Sequence, residues 1–323
     1  MEVFQQYLSG EEDFNDPFRI EVLEAEFSCE DIEMSGTSLV DGYSSLAGEY
    51  GSGNSRLAGG IRANGNIKLS GSAEVIGDAV YGGNIRISGN ARISGTARQE
   101  QEARDCRKAE TSAAIKKARF NNNNEDIPNT RKGKSPFKPA NSLRLKLERG
   151  DELLLPEGVY YFESVKLSGR SVMRTAGLTY IFVSGDVELT GGAEVGPEGL
   201  PPDLRLITSG KVKIEGGSSF YGILFAPQGE VKIGGGGKVF GSIQAGSFKA
   251  GGSSQIHLDR TLLDHEGPSV QVFPEHGAYI GQAPRIEIRW RDMESGADKD
   301  SLRVFFNAVE VTDRLSMIGD KAL

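Results

Sequence analysis

Gly65-Asn-Ile-Lys-Leu-Ser-Gly71-Ser-Ala-Glu-Val-Ile-Gly77-Asp-Ala-Val-Tyr-Gly-Gly83-Asn-Ile-Arg-Ile-Ser-Gly89-Asn-Ala-Arg-Ile-Ser-Gly95 decides the fold. Glycine opens every hexad, at 65, 71, 77, 83, 89 and 95. Inside the hexads, apolar or small residues sit two apart: Ile67/Leu69, Ala73/Val75, Ala79/Tyr81 and Ile85/Ile87. That is strand alternation. Asn-Ile-Lys-Leu-Ser-Gly from 66 returns as Asn-Ile-Arg-Ile-Ser-Gly from 84, 18 residues on. Three short strands with glycine corners make one turn of a triangular coil. Inward residues then stack on the same residues one coil later.

Downstream the repeat is looser. Gly210-Lys-Val-Lys-Ile-Glu-Gly-Gly-Ser-Ser-Phe-Tyr-Gly222 returns as Gly229-Glu-Val-Lys-Ile-Gly-Gly-Gly-Gly-Lys-Val-Phe-Gly241, 19 residues on. Gly185-Asp-Val-Glu-Leu-Thr-Gly-Gly and Ser247-Phe-Lys-Ala-Gly-Gly belong to the same series. The even spacing favours an all-β, parallel β-helix of roughly 18–19 residues per coil over a sandwich with glycine turns. Composition agrees. The chain has 323 residues and 43 glycines, about twice the usual share. That many glycines disfavour long helices, and no apolar run is long enough for a membrane span.

Three segments depart from the coil pattern. Residues 1–30 read as an edge or cap, with an apolar alternation at Phe18-Arg-Ile-Glu-Val-Leu23. The β-helix at 31–264 is interrupted at about 99–141. There, residues 99–120 hold good helix formers without Gly or Pro and predict an exposed helix, and the rest predicts a linker. Arg104 to Lys138 carry ten Lys/Arg against four Asp/Glu in a chain of net charge −8. A solvated excursion explains this basic stretch. A polyanion contact is the alternative, with Phe120 and Phe137 available to stack on bases. The overall negative charge disfavours nucleic acid as a partner of the whole chain. Residues 265–323 read as alternating strands at Val270–Phe273, Arg285–Trp290, Leu302–Phe306 and Val309–Val311. They suggest a partial immunoglobulin-like sandwich.

Two blocks of residues carry a family resemblance. One comprises Asp31-Ile-Glu-Met-Ser-Gly36, Val40-Asp-Gly-Tyr-Ser-Ser45, Gly60–Gly71 and Ala73-Glu-Val-Ile-Gly-Asp78. The other comprises Leu153–Phe162, Ile181-Phe-Val-Ser-Gly-Asp186, Gly222-Ile-Leu-Phe-Ala-Pro227 and Ile256-His-Leu-Asp259. Together they resemble a bacterial β-helical domain of unknown function found in PilX-type pilus-assembly and other exported surface proteins, similar in build to the polymer-forming bactofilins. The tail, at Pro284-Arg-Ile-Glu-Ile and Asn307-Ala-Val-Glu-Val-Thr312, resembles bacterial immunoglobulin-like spacer modules. Neither resemblance implies catalytic residues. Both imply a non-enzymatic structural, scaffold or adhesion module of a surface or pilus-associated protein. Its partners would be other surface or pilus proteins, or itself through solenoid ends.

The candidate chemistry is sparse. The histidines are His257, His265 and His276, and no zinc-type His or Cys spacing occurs. Hexapeptide acyltransferases use a histidine at a coil edge. Only His257 could serve here, and packing near a capping coil explains it. A carbohydrate-active β-helix would need paired carboxylates on one face. Asp186, Glu188 and Glu194 are candidates, but outward polar residues on a solvated face explain them without catalysis. Gly234–Gly237 reads as a corner rather than a phosphate loop. Arg149-Gly150-Asp151 is a chance tripeptide. Asp292, Glu294, Asp298 and Asp300 cluster hard oxygen ligands that would suit Ca²⁺, without EF-hand spacing. No other cofactor is expected.

Cys29 and Cys106 read as separate thiols; a disulfide between them requires an exported protein. Met1–Gln6 do not open a secretory signal. The expectation is therefore a cytoplasmic protein if Met1 is the native start. It is a cell-surface or extracellular one if the chain belongs to a longer exported protein. Self-assembly of the bactofilin kind and carbohydrate binding or cleavage remain the alternative functions.

Overall fold

Each hexad folds as one strand and one corner. The computed structural model describes residues 26–51, 53–197 and 200–262, with the backbone of six further strands beyond them. The N-terminal stretch forms β1 (Glu26–Ser28), β2 (Ile32–Met34), β3 (Leu39–Tyr43), β4 (Ile61–Ala63), β5 (Ile67–Leu69), β6 (Glu74–Val75), β7 (Ala79–Tyr81), β8 (Ile85–Ile87), β9 (Arg92–Ile93) and β10 (Ala97–Gln99). Helix α1 (Lys108–Ala118) follows. The second stretch begins with β11 (Arg144–Leu147), β12 (Glu152–Leu155), β13 (Gly158–Phe162), β14 (Ser164–Ser168), β15 (Val172–Thr175), β16 (Thr179–Val183) and β17 (Val187–Thr190). It continues with β18 (Glu194–Pro197), β19 (Leu204–Thr208), β20 (Val212–Ile214), β21 (Ser219–Ile233), β22 (Lys238–Ala250) and β23 (Gln255–Asp259). All 23 strands form one parallel sheet wound into a solenoid of about 9 turns.

The winding gives three faces. One runs β10-β7-β4-β1-β22-β21-β19-β16-β13. A second runs β8-β5-β2-β22-β21-β20-β17-β14-β11. The third runs β9-β6-β3-β23-β22-β21-β18-β15-β12. Spatial order is therefore not chain order. The chain enters at β1 in the middle of the column and winds to one end at β10. It then crosses to the other end and winds back, until β22 and β23 pair with β1, β2 and β3. This seam joins the two stretches in register. Among the described residues the column already includes Glu26–Ser28, before residue 31.

Coil length varies more than the repeat suggests. Ile67 lies beside Ile85, but Val187 lies beside Val212 and Ile32 beside Ile67. The long coil accommodates a loop at 44–58. Stacking needs matched strands, not matched corners. On the second face the inward pairs Leu145/Leu147, Val165/Leu167, Val212/Ile214 and Ile67/Leu69 are buried. Together with their counterparts on the other faces they form one continuous apolar core.

The insert is a packed part of the molecule, which corrects the expectation of an exposed helix and a solvated linker. Thr111, Ala114, Ile115 and Ala118 are buried, at helical spacings that share one face. Ala114, Ile115 and Ala118 belong to the same core as Phe182, Ile207 and Phe225 on the first face. Cys29 and Cys106 are joined, with Cα atoms 5.9 Å apart. This ties the approach to α1 to the corner after β1 and replaces the reading of two separate thiols.

Beyond the solenoid, residues 264–323 form a separate unit. Its described backbone comprises β24 (Ser269–Phe273), β25 (Glu287–Arg291), β26 (Phe305–Phe306), β27 (Val309–Glu310), β28 (Met317–Ile318) and β29 (Lys321–Ala322). Their pairings are antiparallel, in the order β24-β25-β29-β28 with β26-β27 apart.

Candidate functional site

The described side chains with the most chemistry meet at the seam. β23 and β3 pair so that His257 lies beside Asp41 and beside Phe240 of β22. All three point outward on the third face, because Ile256 and Val40 fill the interior. His257 Nδ1 stands 2.5 Å from Asp41 Oδ1, and both side chains are fully buried. The 44–58 loop covers them. Its Tyr50 ring lies 3.7 Å from the imidazole centroid, and its hydroxyl donates to Asp41 Oδ2 at 2.7 Å. Ser45 N donates to Asp259 Oδ1 at 3.0 Å, and Asn54 Nδ2 to Ser44 O at 2.7 Å, so the loop is fixed at several points.

Tyr221 and Phe240 extend the stack with rings 4.6 Å apart. Burial pushes the Tyr50 phenol well above its ordinary range, and the Asp41 carboxylate adds to this. The phenol therefore stays protonated and keeps its donated bond. His257 Nε2 faces Gln255 Oε1 at 3.4 Å. A fully buried imidazole between a carboxylate and two aromatic rings holds structure together. Acid–base catalysis would need reach to a substrate.

His257 was expected near a capping coil. It lies at the middle seam instead, because the N-terminal coils continue the column beyond it. Nothing in the local sequence marks Asp41 or Tyr50 as partners of His257. No sequence periodicity links position 41 to position 257, 216 residues away.

The other candidates separate. Asp186 Oδ1 accepts from Lys211 N at 2.8 Å and serves a corner. Glu188 pairs with Lys166 at 2.6 Å on the second face, and Glu194 pairs with Arg174 on the third. They do not share a site. Gly235 and Gly236 are corner residues with φ of 53° and 76°. In Arg149-Gly150-Asp151 the Asp151 side chain is buried and takes Glu148 N at 3.2 Å, so the tripeptide does not display its carboxylate. Asp292, Glu294, Asp298, Asp300, His265 and His276 lie outside the described residues. Among the described residues no group of three or more metal-ligating side chains gathers.

The basic insert uses much of its charge internally. Arg131 pairs with Glu152 at 2.8 Å, Lys132 with Asp151 at 3.4 Å and Lys138 with Glu148 at 3.1 Å. Phe137 packs beside Phe162, at 6.2 Å between rings, whereas Phe120 is exposed. The part of the insert around Arg131–Lys138 thus serves as an end cap.

Residues 171–265 match a domain of unknown function (DUF7305). The match covers part of the second stretch and the seam strand β23. No curated protein sequence matches the chain. Among solved structures, an ice-binding protein from the Antarctic ascomycete Antarctomyces psychrotrophicus is similar at 10% identity. Its TM-score is 0.45, over 73% of this chain and 94% of that one. A glycosylated ice-binding protein from an Arctic yeast is similar at 12% identity and TM-score 0.40, over 73% and 90%. One from an Antarctic biological consortium is similar at 13% identity and TM-score 0.39, over 73% and 87%. At these values the likeness says nothing of what this chain binds.

Proposed function

We propose that the chain is a non-enzymatic structural module of an exported bacterial surface or pilus-associated protein. It would act as a stiff column that spaces or presents neighbouring segments, and the antiparallel strands after residue 264 would belong to an immunoglobulin-like spacer. The observation that carries this is the Cys29–Cys106 bridge. Disulfides persist in oxidising compartments, and this one clasps the crossing segment to the column. The burial of His257 and the dispersal of Asp186, Glu188 and Glu194 support a structural role over hydrolysis.

The test is fractionation of native cells followed by alkylation and mass spectrometry. An exported protein whose two cysteines resist alkylation until reduced is the expected result. A cytosolic protein with both thiols free would sink the reading.

A second reading, self-assembly through coil ends, is favoured by one observation. The β8–β10 end leaves Ile87 45% exposed, and edge strands associate. The other end is covered by the insert over β11 and β13, with Phe137 bridging Leu145. One open end supports pairs, whereas a filament needs two. Sedimentation velocity should find monomers or dimers; longer polymers would contradict this.

A further inference from the structure

The insert does not cover its end of the column evenly. That end terminates in β11, β12 and β13. The β13 edge is occupied: Asn123 N donates to Val159 O at 2.7 Å, and Asn124 Nδ2 donates to Tyr161 O at 2.6 Å. The β11 edge is occupied too: Lys146 N donates to Pro136 O at 2.8 Å and Lys138 N to Arg144 O at 3.1 Å.

On β12 the insert makes a single backbone bond, Arg131 N to Glu152 O at 2.8 Å. Alternate residues of a parallel strand turn their backbone groups to opposite neighbours. Asp151 O and Leu155 O accept from Val172 N and Ala176 N of the β15 side, both at 2.9 Å. Leu154 therefore presents its N–H and C=O to the outer edge, as Glu152 does. No described residue bonds them there. At that point a cleft of about 330 Å³ opens between the insert and the third face. Pro128, Leu153, Leu154 and Val172 give its apolar lining, and Arg131, Arg174, Asn129 and Glu152 its polar lining. Leu154 is 45% exposed.

We propose that this cleft binds a short extended peptide segment of a partner protein, carrying an acidic side chain, as an added strand on β12. The free N–H and C=O of Leu154 offer one strand-like pair of hydrogen bonds, which is how extended peptides add to open sheet edges. Arg131 Nη1 holds Glu152 at 2.8 Å, and Arg174 holds Glu194 through one Nη. A guanidinium has five N–H donors, so each keeps donors for an incoming carboxylate. The volume suits a segment of two or three residues, at the small end of ligand pockets. An acidic sugar would satisfy the arginines alike, but it has no use for the strand edge.

Methyl and amide NMR of the full chain tests this, with acetyl-Val-Glu-Val-amide as the probe. Saturable shifts at the Leu154 amide and at the Leu154 and Val172 methyls are expected. Acetyl-Val-Gln-Val-amide should bind up to about fivefold more weakly, as loss of one charge allows. The same peptide with a methylated central amide should lose the Leu154 amide shift. Arg174→Gln leaves β12 intact and should reduce the preference for Glu over Gln. Absence of shifts at about 10 mM peptide, weaker than any useful contact, overturns the proposal. So does glucuronic acid shifting the same signals as strongly, or an Arg174→Gln protein with unchanged preference.

Discussion

At the residue scale, the glycines of the opening hexads do two different jobs. Gly71 and Gly89 adopt φ of 70° and 71° at the corner between the second and third faces. A Cβ on Gly71 would stand 3.0 Å from the backbone N and O of Gly36 in the next coil. Left-handed backbone with a branched side chain costs about 1–2 kcal/mol, and crowding against fixed backbone adds about 1–3 kcal/mol. Gly71→Val should therefore lose at least about 2 kcal/mol in urea titration, while Lys68→Val on the exposed second face should stay within about 0.5 kcal/mol. Equal losses would contradict the corner assignment. Gly65, Gly83 and Gly95 show no such φ; they instead lie against the backbone or short polar side chains of the neighbouring coil. The seam is equally specific. Tyr50→Phe removes the 2.7 Å bond to a buried carboxylate, which should cost about 1–3 kcal/mol. A change no larger than at an exposed tyrosine would mean that the loop closes over His257 by packing alone.

At the element scale, the strands of the N-terminal stretch were legible because corner and strand repeat every six residues, so each glycine marks a boundary. The second stretch was legible by type but not by length, since its corners absorb extra residues without disturbing the stacked pairs. The packing of the insert is hidden in the sequence for a physical reason. Its buried face is made of Thr111, Ala114, Ile115 and Ala118, which are small and mostly weakly apolar, so helical periodicity hardly registers. Its charges also looked solvated when many of them pair with the coil they cover. Glu148 shows this most clearly. Lys146 and Lys138 hold its carboxyl down from an ordinary 4.5 to about 2. A depressed carboxylate stabilises the cap above its ordinary pKa and stops doing so as the pH falls toward the folded value. Hydrogen exchange of the Lys138 and Lys146 amides should therefore accelerate, beyond the intrinsic rate, between pH 4.5 and about 2. Glu148→Gln should flatten this response. An identical acid response in the variant would show that other groups open the cap.

At the scale of the whole molecule, the chain's path matters more than any coil. A sequence reader sees two repeat stretches joined by a linker, in the order in which they are written. That reading places β10 beside β11, whereas the structure sets them at opposite ends and makes β1, β2 and β3 neighbours of β22 and β23. Nothing local in the sequence reveals this, because parallel strands of one solenoid share the same alternation wherever they stack. The buried His257–Asp41 pair, 216 residues apart, is the chemical mark of the join. It follows that the two stretches hold each other without the connecting peptide. The seam supplies three strand pairings, and α1, which belongs to the first stretch in sequence, buries Ala114 and Ile115 against the second. Both cysteines lie on the N-terminal side of a cut near residue 140, so the disulfide does not link the pieces. A protease site introduced at the exposed residues 139–141 should then be cleaved in native buffer without separating the fragments. They should co-elute at the position of the uncut protein, with or without reductant, and part only in denaturant. Separation in native buffer would mean that the stretches are independent columns on a tether, and the seam would have to be abandoned as the join of the fold.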